Sequence, residues 1–344
     1  MKAAFIRKHG EPDCVEFGDV PAPRPAPGEV VIAVRAAALN HLDIWVRKGG
    51  RATGLQMPHV LGSDAAGVIA EVGEGVAGVS QGDEVVLYPG LSCGSCEYCR
   101  RGQQSECTDF GIVGLSRPGT FAERVAVPAA NAFPKPPHLT FEEAAALTLA
   151  HLTAWRMLMT LARILPGETV LIHGIGGGVA LAGLQLAKLV GATAIVTSSS
   201  DEKLARATQM GADHVINYRK ALDTAQSVRE LTANRGVDIA FDTVGAATWS
   251  VDFSAIRRSG RIVLCGVTGG AQAPTNLQAL YWNHFSVLGS TLGSLEECRQ
   301  MLRAVAAASL KPVIDSVEEL ADARRAIARM EAGEQFGKIV LRLS

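Results

Sequence analysis

The segment ETVLIHGIGGGVALAGLQLAK (Glu168–Lys188) decides how this 344-residue chain is read. It passes from an apolar strand-like run through a tight glycine turn into an apolar helix-like run. Gly174, Gly176, Gly177 and Gly178 occupy the turn, and Val179 and Ala180 open the helix. Without a Cβ, such a turn lets the backbone come close to a pyrophosphate. The N–H groups at the start of the helix then point at that anion. The spacing is Gly174-x-x-Gly177-x-x-Ala180 rather than a strict G-x-G-x-x-G, with alanine at the close-packed third position. A glycine motif alone says little. Here a strand precedes it, a helix follows, and a second strand comes about 20 residues on, which is the setting a dinucleotide site requires. The alternative is a tight strand-to-helix turn without a ligand.

The texture around this segment agrees with it. TAIVTSS, HVINY, VDIAFDTVG and GRIVLCGV read as strands, and DEKLARATQMGA reads as a helix between the first two. Alternating strands and helices with nearly continuous apolar strands predict a parallel sheet covered on both faces. Residues 1–130 differ. Short runs at Ala3–Ile6, Glu29–Ala36, Ala66–Val72, Glu84–Leu87 and Ala122–Val127 are separated by Pro and Gly. They predict an antiparallel, barrel-like β unit, with Pro21–Glu29 as a rigid surface loop. Thr140, with Glu143 three residues on, is a helix start, and one helix is expected through FEEAAALTLAHLTAWRMLMTLA. Glu318–Arg329 reads as a helix and Lys338–Leu343 as a last strand.

Composition removes several classes of function. Lys plus Arg number 33 and Asp plus Glu 34, a formal charge of -1 with no basic block, so no nucleic-acid partner is expected. Hydrophobic residues make up 48% and charged residues 19%, which excludes low-hydrophobicity disorder. Apolar stretches such as Ala144–Ala150 and Val179–Leu186 fall short of the ~20 residues of a membrane span. MKAAFIRKHGEP has no long apolar core behind its charges and is not read as a secretory signal. A cytoplasmic protein that does not engage the membrane is expected.

Of seven cysteines, four cluster as Cys93-x-x-Cys96-x-x-Cys99-x7-Cys107, while Cys14, Cys265 and Cys298 are scattered. An odd count with one tight cluster reads as metal ligation in a reducing compartment. Four thiolates from one loop close a tetrahedron around one Zn²⁺ and leave no open position, so the site is structural. An iron–sulfur run would have about three residues before its last Cys, where this chain has seven.

The second strand bears on the choice of cofactor. NAD sites place an acid at its end, to bind the ribose 2′-hydroxyl. This strand, Ala194–Thr197, leads into Ser198-Ser199-Ser200. Hydroxyls can donate to a 2′-phosphate, whereas a carboxylate repels it. Lys203 and Tyr218 are placed to complete the site. NADP is therefore expected, with NAD the alternative and helix capping a competing role for the serines. Asp201 is expected to cap the next helix.

Together with VLGSDAAGVIAEVGEGV, GDEVV, GTFAE, GADHVINY, FDTVG, GRIV and FGKIVL, these features resemble the medium-chain dehydrogenase/reductase family almost end to end. That family comprises the zinc alcohol dehydrogenases and their quinone-reductase relatives. The resemblance implies a GroES-like β-barrel catalytic domain at 1–149 and 288–344, with a zinc lobe at about 90–110, and a Rossmann-type doubly wound domain at 150–287. It implies hydride transfer between a nicotinamide cofactor and a small-molecule substrate. It also implies a homodimer or homotetramer, with Phe285–Leu288 among the edge strands that pair.

Family alcohol dehydrogenases hold a catalytic zinc with Cys, His and Cys. The corresponding positions are Asn40, Ser63 and Leu149, none of them a usual ligand. A reshuffled metal site from His41, Asp64 and His151 is the alternative. By resemblance, Asn40, His41 and Asp43 line the cleft below the nicotinamide, Thr153 lies beside it, and Lys338 reaches the cofactor phosphates or the cleft. Without a Lewis acid, alcohol oxidation is hard, whereas a polarised C=C or a quinone needs only hydrogen-bond donors at oxygen. The expected activity is NADPH-dependent reduction of enals, enones, enoyl thioesters or quinones. The alternatives are an alcohol dehydrogenase or aldehyde reductase with an atypical metal site, and a non-enzymatic NADPH-binding protein.

Overall fold

The computed structural model describes residues 1–50 and 54–343. Two compact units emerge: Met1–Leu152 with Gly293–Ser344, and Thr153–Leu292.

The second unit is built on six strands: β1 (Thr169–Ile172), β2 (Thr193–Ser198), β3 (His214–Asn217), β4 (Val237–Asp242), β5 (Ile256–Leu264) and β6 (Ser286–Gly289). They pair in the order β3-β2-β1-β4-β5-β6, all parallel. This is the doubly wound arrangement of the Rossmann fold, with the reversal of strand order between β1 and β4. Every residue of β4 is buried, as continuous apolar strands in a covered parallel sheet require. Helix α1 (Gly178–Val190) leaves β1 through the glycine turn. One close approach to the sheet is at Gly183, where a Cβ would stand 3.0 Å from the Phe241 ring. Ala180, expected to make the close helix–strand contact, is buried.

The first unit contains a seven-stranded sheet. Along it run Ala132–Pro134, Glu84–Leu87, Asp64–Val72, Glu29–Ala38, Lys338–Arg342 and Ile314–Glu319, and Arg124–Pro128 also pairs with Glu29–Ala38. A three-stranded sheet of Val15–Asp19, Lys2–Ile6 and His59–Val60 adjoins it in sequence. Val30, Ile32, Val34, Ile69, Val85, Leu87, Ile339 and Leu341 contribute to one apolar cluster. Among the described residues the strand path ends at Ala132–Pro134 and Ile314–Glu319, so no closed barrel forms.

Two local expectations are corrected. The span Glu318–Arg329 is not one helix: Ile314–Glu319 pairs in parallel with the last strand, and the helix is Ala323–Glu331. The long helix after Thr140 is also interrupted. Thr140 and Glu143 form the expected reciprocal cap, but the helix stops at Ala145. A new helix starts at Thr148, and Arg156–Leu161 is π-helical. The break has a physical cause. Thr148 Oγ1 and the Leu149 N–H both donate to Asp64 Oδ1, so a buried carboxylate from another strand caps the second helix. Among the described residues, no helix is long and apolar enough to cross a membrane.

Candidate active site and cofactor-binding residues

Strand register brings the first cluster together. In the first unit's sheet, Ala38 of Glu29–Ala38 lies opposite Asp64 on one side and Val340 on the other. Continuing that register past the strand end sets Asn40 opposite Lys338. Lys338 Nζ donates to Asn40 Oδ1 at 2.6 Å and to Asp64 Oδ2 at 3.1 Å. Asn40 Nδ2 donates to Asp64 Oδ2 at 2.9 Å and to Ala38 O at 3.3 Å. Asn40, Asp64 and Lys338 are all buried, at 8, 0 and 5% exposure. The Asp64 carboxylate thus has four donors, the Asn40 amide is fully engaged, and the Lys338 ammonium points inward.

Asp43 lies one helical turn further on. Its carboxylate accepts from the N–H groups of Asn40 (2.7 Å) and Gly62 (3.2 Å), tying the helix start to the segment that carries Ser63 and Asp64. Burial pushes its carboxyl up to about 7, against the pull of those N–H groups and of Lys338. This is a helix-capping role, shared with Asn40. His41 opens the helix (His41–Lys48), with its ring edge-on to Trp45. Loss of water around it pushes its imidazole below the ordinary value. Ser63 is fully buried and its Oγ has no hydrogen-bond partner. His151 is buried, with Nδ1 3.2 Å from Leu147 O.

The cysteine lobe is the one group of three or more His, Cys, Asp or Glu side chains, among the described residues, whose ligand atoms could share an ion. His41, Asp64 and His151 are not brought together in this way. The sulfurs of Cys93, Cys96, Cys99 and Cys107 all lie within 4.8 Å of one another. Cys93 Sγ is 3.5 Å from Cys107 Sγ and 4.0 Å from Cys99 Sγ. A tetrahedron of ~2.3 Å Zn–S bonds has S···S edges of about 3.8 Å, so the donor set fits zinc. Backbone N–H groups of Cys93 and Asp109 point at Cys107 Sγ, and that of Cys96 at Cys93 Sγ. Hydrogen bonds from Ser95 and Cys96 hold the Cys93 thiol down at about 6, favouring the thiolate a metal needs. A short helix (Glu97–Arg100) and single-turn elements are the lobe's main regular structure, so the metal would fix its shape.

In the second unit the turn has the geometry of an anion cradle. Gly174 and Gly176 take φ of +66° and +119°, conformations that favour glycine. Gly177 is the N-cap of α1, and no side chain caps that helix, so the N–H groups at Gly178, Val179 and Ala180 face outward from its first turn. Ser198 closes β2 and is buried, with its Oγ accepting from the Ser200 N–H. The cap of the next helix is Ser200, which accepts from the Lys203 N–H; Asp201, expected there, instead binds Asn217 Nδ2 and Lys220 Nζ. Tyr218 is exposed just after β3, and Thr153 is buried in the helix Thr148–Trp155.

Two residues of interest were not found by reading the sequence. Thr148 joins the Leu149 N–H in holding Asp64, and Thr197 links the glycine turn to His173. Only a contact map between distant strands reveals them.

Comparison with known proteins agrees with this fold. Residues 26–137 match the alcohol dehydrogenase GroES-like domain, and residues 178–307 match the zinc-binding dehydrogenase family. The NAD-dependent alcohol dehydrogenase of Sulfurisphaera tokodaii is 31% identical over 350 residues, covering 99% of each chain. A crystal structure of an NAD-dependent alcohol dehydrogenase superposes with a TM-score of 0.96 at 43% identity over the whole of both chains. A cobalt- and zinc-bound thermostable alcohol dehydrogenase from Pyrobaculum aerophilum gives 0.89 at 35% identity, covering 100% of this chain and 99% of that one. The chain belongs to the medium-chain dehydrogenase/reductase family, among the zinc-type alcohol dehydrogenases and their quinone-reductase-like relatives, and is an NAD(P)-dependent oxidoreductase.

Proposed function

We propose that this enzyme reduces activated C=C bonds (in enals, enones or enoyl thioesters) or quinones with NADPH, without a catalytic zinc. The observation that carries this reading is the Lys338 ammonium on Asn40 and Asp64. The three positions where family alcohol dehydrogenases hold the metal carry an amide, a hydroxyl and an alkyl side chain (Asn40, Ser63 and Leu149). The carboxylates among their neighbours are already engaged, Asp64 by four donors and Asp43 by the N–H groups of Asn40 and Gly62. A fixed cation on the two best oxygen ligands opposes a second, divalent one. These residues do not fit a catalytic zinc.

A nicotinamide, when bound, would supply the hydride for the β-carbon; charge would then gather on the carbonyl oxygen, and His41 or water would supply the proton for the α-carbon. The chain's part is to place the substrate and to donate to that oxygen. Asn40 has both N–H bonds committed, so it positions Lys338 and Asp64. His41, at the start of the helix that Asn40 leads into, or water is the donor this reading assigns.

NADPH is favoured because the nearest acid to Ser198, Asp201, is occupied by Asn217 and Lys220. The likeness to NAD-dependent alcohol dehydrogenases favours the second reading, alcohol or aldehyde turnover. We further propose a cytoplasmic homo-oligomer paired at β6, beside which Leu277, Tyr281, Trp282 and Val287 are exposed. Cofactor oxidation measured across enals, enones, acyl thioesters, quinones and aldehydes tests the function directly. Turnover confined to aldehydes and alcohols would move the case to the second reading.

A further inference from the structure

A buried polar cluster sits directly behind the glycine turn. His173, the residue before Gly174, is 2% exposed. Its Nδ1 lies 3.2 Å from Thr197 Oγ1 on β2, and its Nε2 lies 2.8 Å from Asp252 Oδ1 on the helix Trp249–Ala255. The same Thr197 oxygen accepts from the N–H of Gly174 at 3.4 Å. One buried hydroxyl therefore joins the imidazole to the first N–H of the turn.

A threonine hydroxyl has one proton and two lone pairs. When both imidazole nitrogens carry protons, Thr197 accepts from His173. When Nε2 alone is protonated and bound to Asp252, Thr197 donates to Nδ1. The hydroxyl must rotate between these states, and Gly174 shares its oxygen.

The charged and titratable groups facing His173 are Asp252 on the helix and Asp242 at the end of β4. Asp242 accepts from Val244, Gly245 and Thr248. Cys265, just after β5, also faces Asp242, and burial with that carboxylate pushes its thiol up to about 12. Burial drives the His173 imidazole down, but Asp252 and then Asp242 outweigh it and raise it. Burial pushes Asp252 up to about 6, opposed by His173 and assisted by Asp242, and Asp252 Oδ2 has no donor. A buried ion pair of this kind is weak evidence of stabilisation, because desolvation offsets the attraction. Its place, at the carboxyl ends of β1, β2 and β4, is where the strand order reverses and dinucleotides bind.

We propose that His173 and Asp252 are positioning residues for the dinucleotide: the pair fixes Thr197, and Thr197 fixes the entry of the glycine turn. This rests on the assignment of Thr153–Leu292 as the nucleotide-binding unit. The turn serves the pyrophosphate, which NADPH and NADH share, so both affinities change together. The groups near Ser198, in contrast, change their ratio.

The test is the dissociation constant of NADPH and of NADH, followed by fluorescence from about pH 5.5 to about pH 8.5, for the full chain and for Thr197→Val, His173→Gln and Asp252→Asn. Thr197→Val keeps the buried shape and removes only the shared oxygen. It is expected to weaken both cofactors roughly three- to tenfold, the worth of one net hydrogen bond, with an unchanged preference. His173→Gln and Asp252→Asn are expected to flatten the pH dependence of the unsubstituted protein. Folded variants with unaltered affinity and an unaltered pH profile overturn the proposal, as does a loss confined to melting temperature. Should Thr197→Val fail to fold, the pH profile of Asp252→Asn decides alone. An unsubstituted protein that binds neither dinucleotide overturns the assignment of the unit itself.

Discussion

The ammonium of Lys338 donates to Asn40 Oδ1 at 2.6 Å, although 298 positions separate the two residues in the chain. Asp64, 3.1 Å from the same nitrogen, completes a buried triad with Asn40, a position to which the resemblance assigned a metal ligand in the family's alcohol dehydrogenases. A buried pair broken on one side leaves an uncompensated charge, typically costing 3–5 kcal/mol. Lys338→Met should therefore destabilise the protein by about that much in urea unfolding. Adding Asp64→Asn to it should recover part of the loss. Equal stability of Lys338→Met and the unsubstituted chain would mean the triad holds nothing.

His41 tests the assigned donor. Removing a donor from a developing oxyanion costs ~3 kcal/mol. His41→Ala should lower kcat for an enone about a hundredfold, with the dissociation constant of NADPH unchanged. An unaltered kcat would remove His41 from the mechanism.

The cysteine lobe should hold one zinc per chain. Metal analysis of Cys96→Ser with Cys99→Ser should find that zinc lost. The melting temperature should fall while cofactor affinity stays near that of the unsubstituted protein, since the lobe belongs to the other unit. Retention of zinc by the double variant would contradict the ligand set.

Cofactor preference should reverse in Ser198→Asp. A carboxylate at the end of β2 repels a 2′-phosphate and accepts from a ribose hydroxyl. Binding of NADH as tight as that of NADPH in the unsubstituted protein would contradict the assignment of NADP.

Asp238 gives a pH dependence of known sign. Burial would raise its carboxyl, but Arg235, the Thr169 N–H and Arg257 outweigh burial and hold it well below the carboxylate range. Its contribution is thus present above the unfolded value near pH ~3.9 and is lost as pH falls through the lower folded value. Asp238→Asn should cost about 2 kcal/mol at neutral pH, the worth of hydrogen bonds to a charged group. Unfolding midpoints compared at neutral pH and near pH 3 should show the gap narrowing. A gap independent of pH would assign Asp238 a packing role only.

Local features were legible in the sequence because their physics is local. The glycine turn needs φ values that favour glycine, the zinc lobe gathers its ligands within fifteen residues, and the Thr140 cap closes over one turn. Long-range features were not. Asn40 meets Lys338 through the register of two strands, and Asp64 interrupts a helix that its own composition favours. A close helix–sheet approach is also made at Gly183, beyond the motif, where Phe241 on the neighbouring strand fills the space. Lys338, which the resemblance sent to the phosphates or the cleft, bonds Asn40 and Asp64, partners that no spacing announces.

The proposed activity is hydride transfer to an activated C=C without a catalytic metal. The most direct measurement is steady-state oxidation of NADPH with an enone, and oxidation of benzyl alcohol with NADP, each with and without excess chelator. Enone turnover that the chelator leaves unchanged, with little alcohol oxidation, is the predicted result. Alcohol oxidation abolished by the chelator, with no enone turnover, would contradict it.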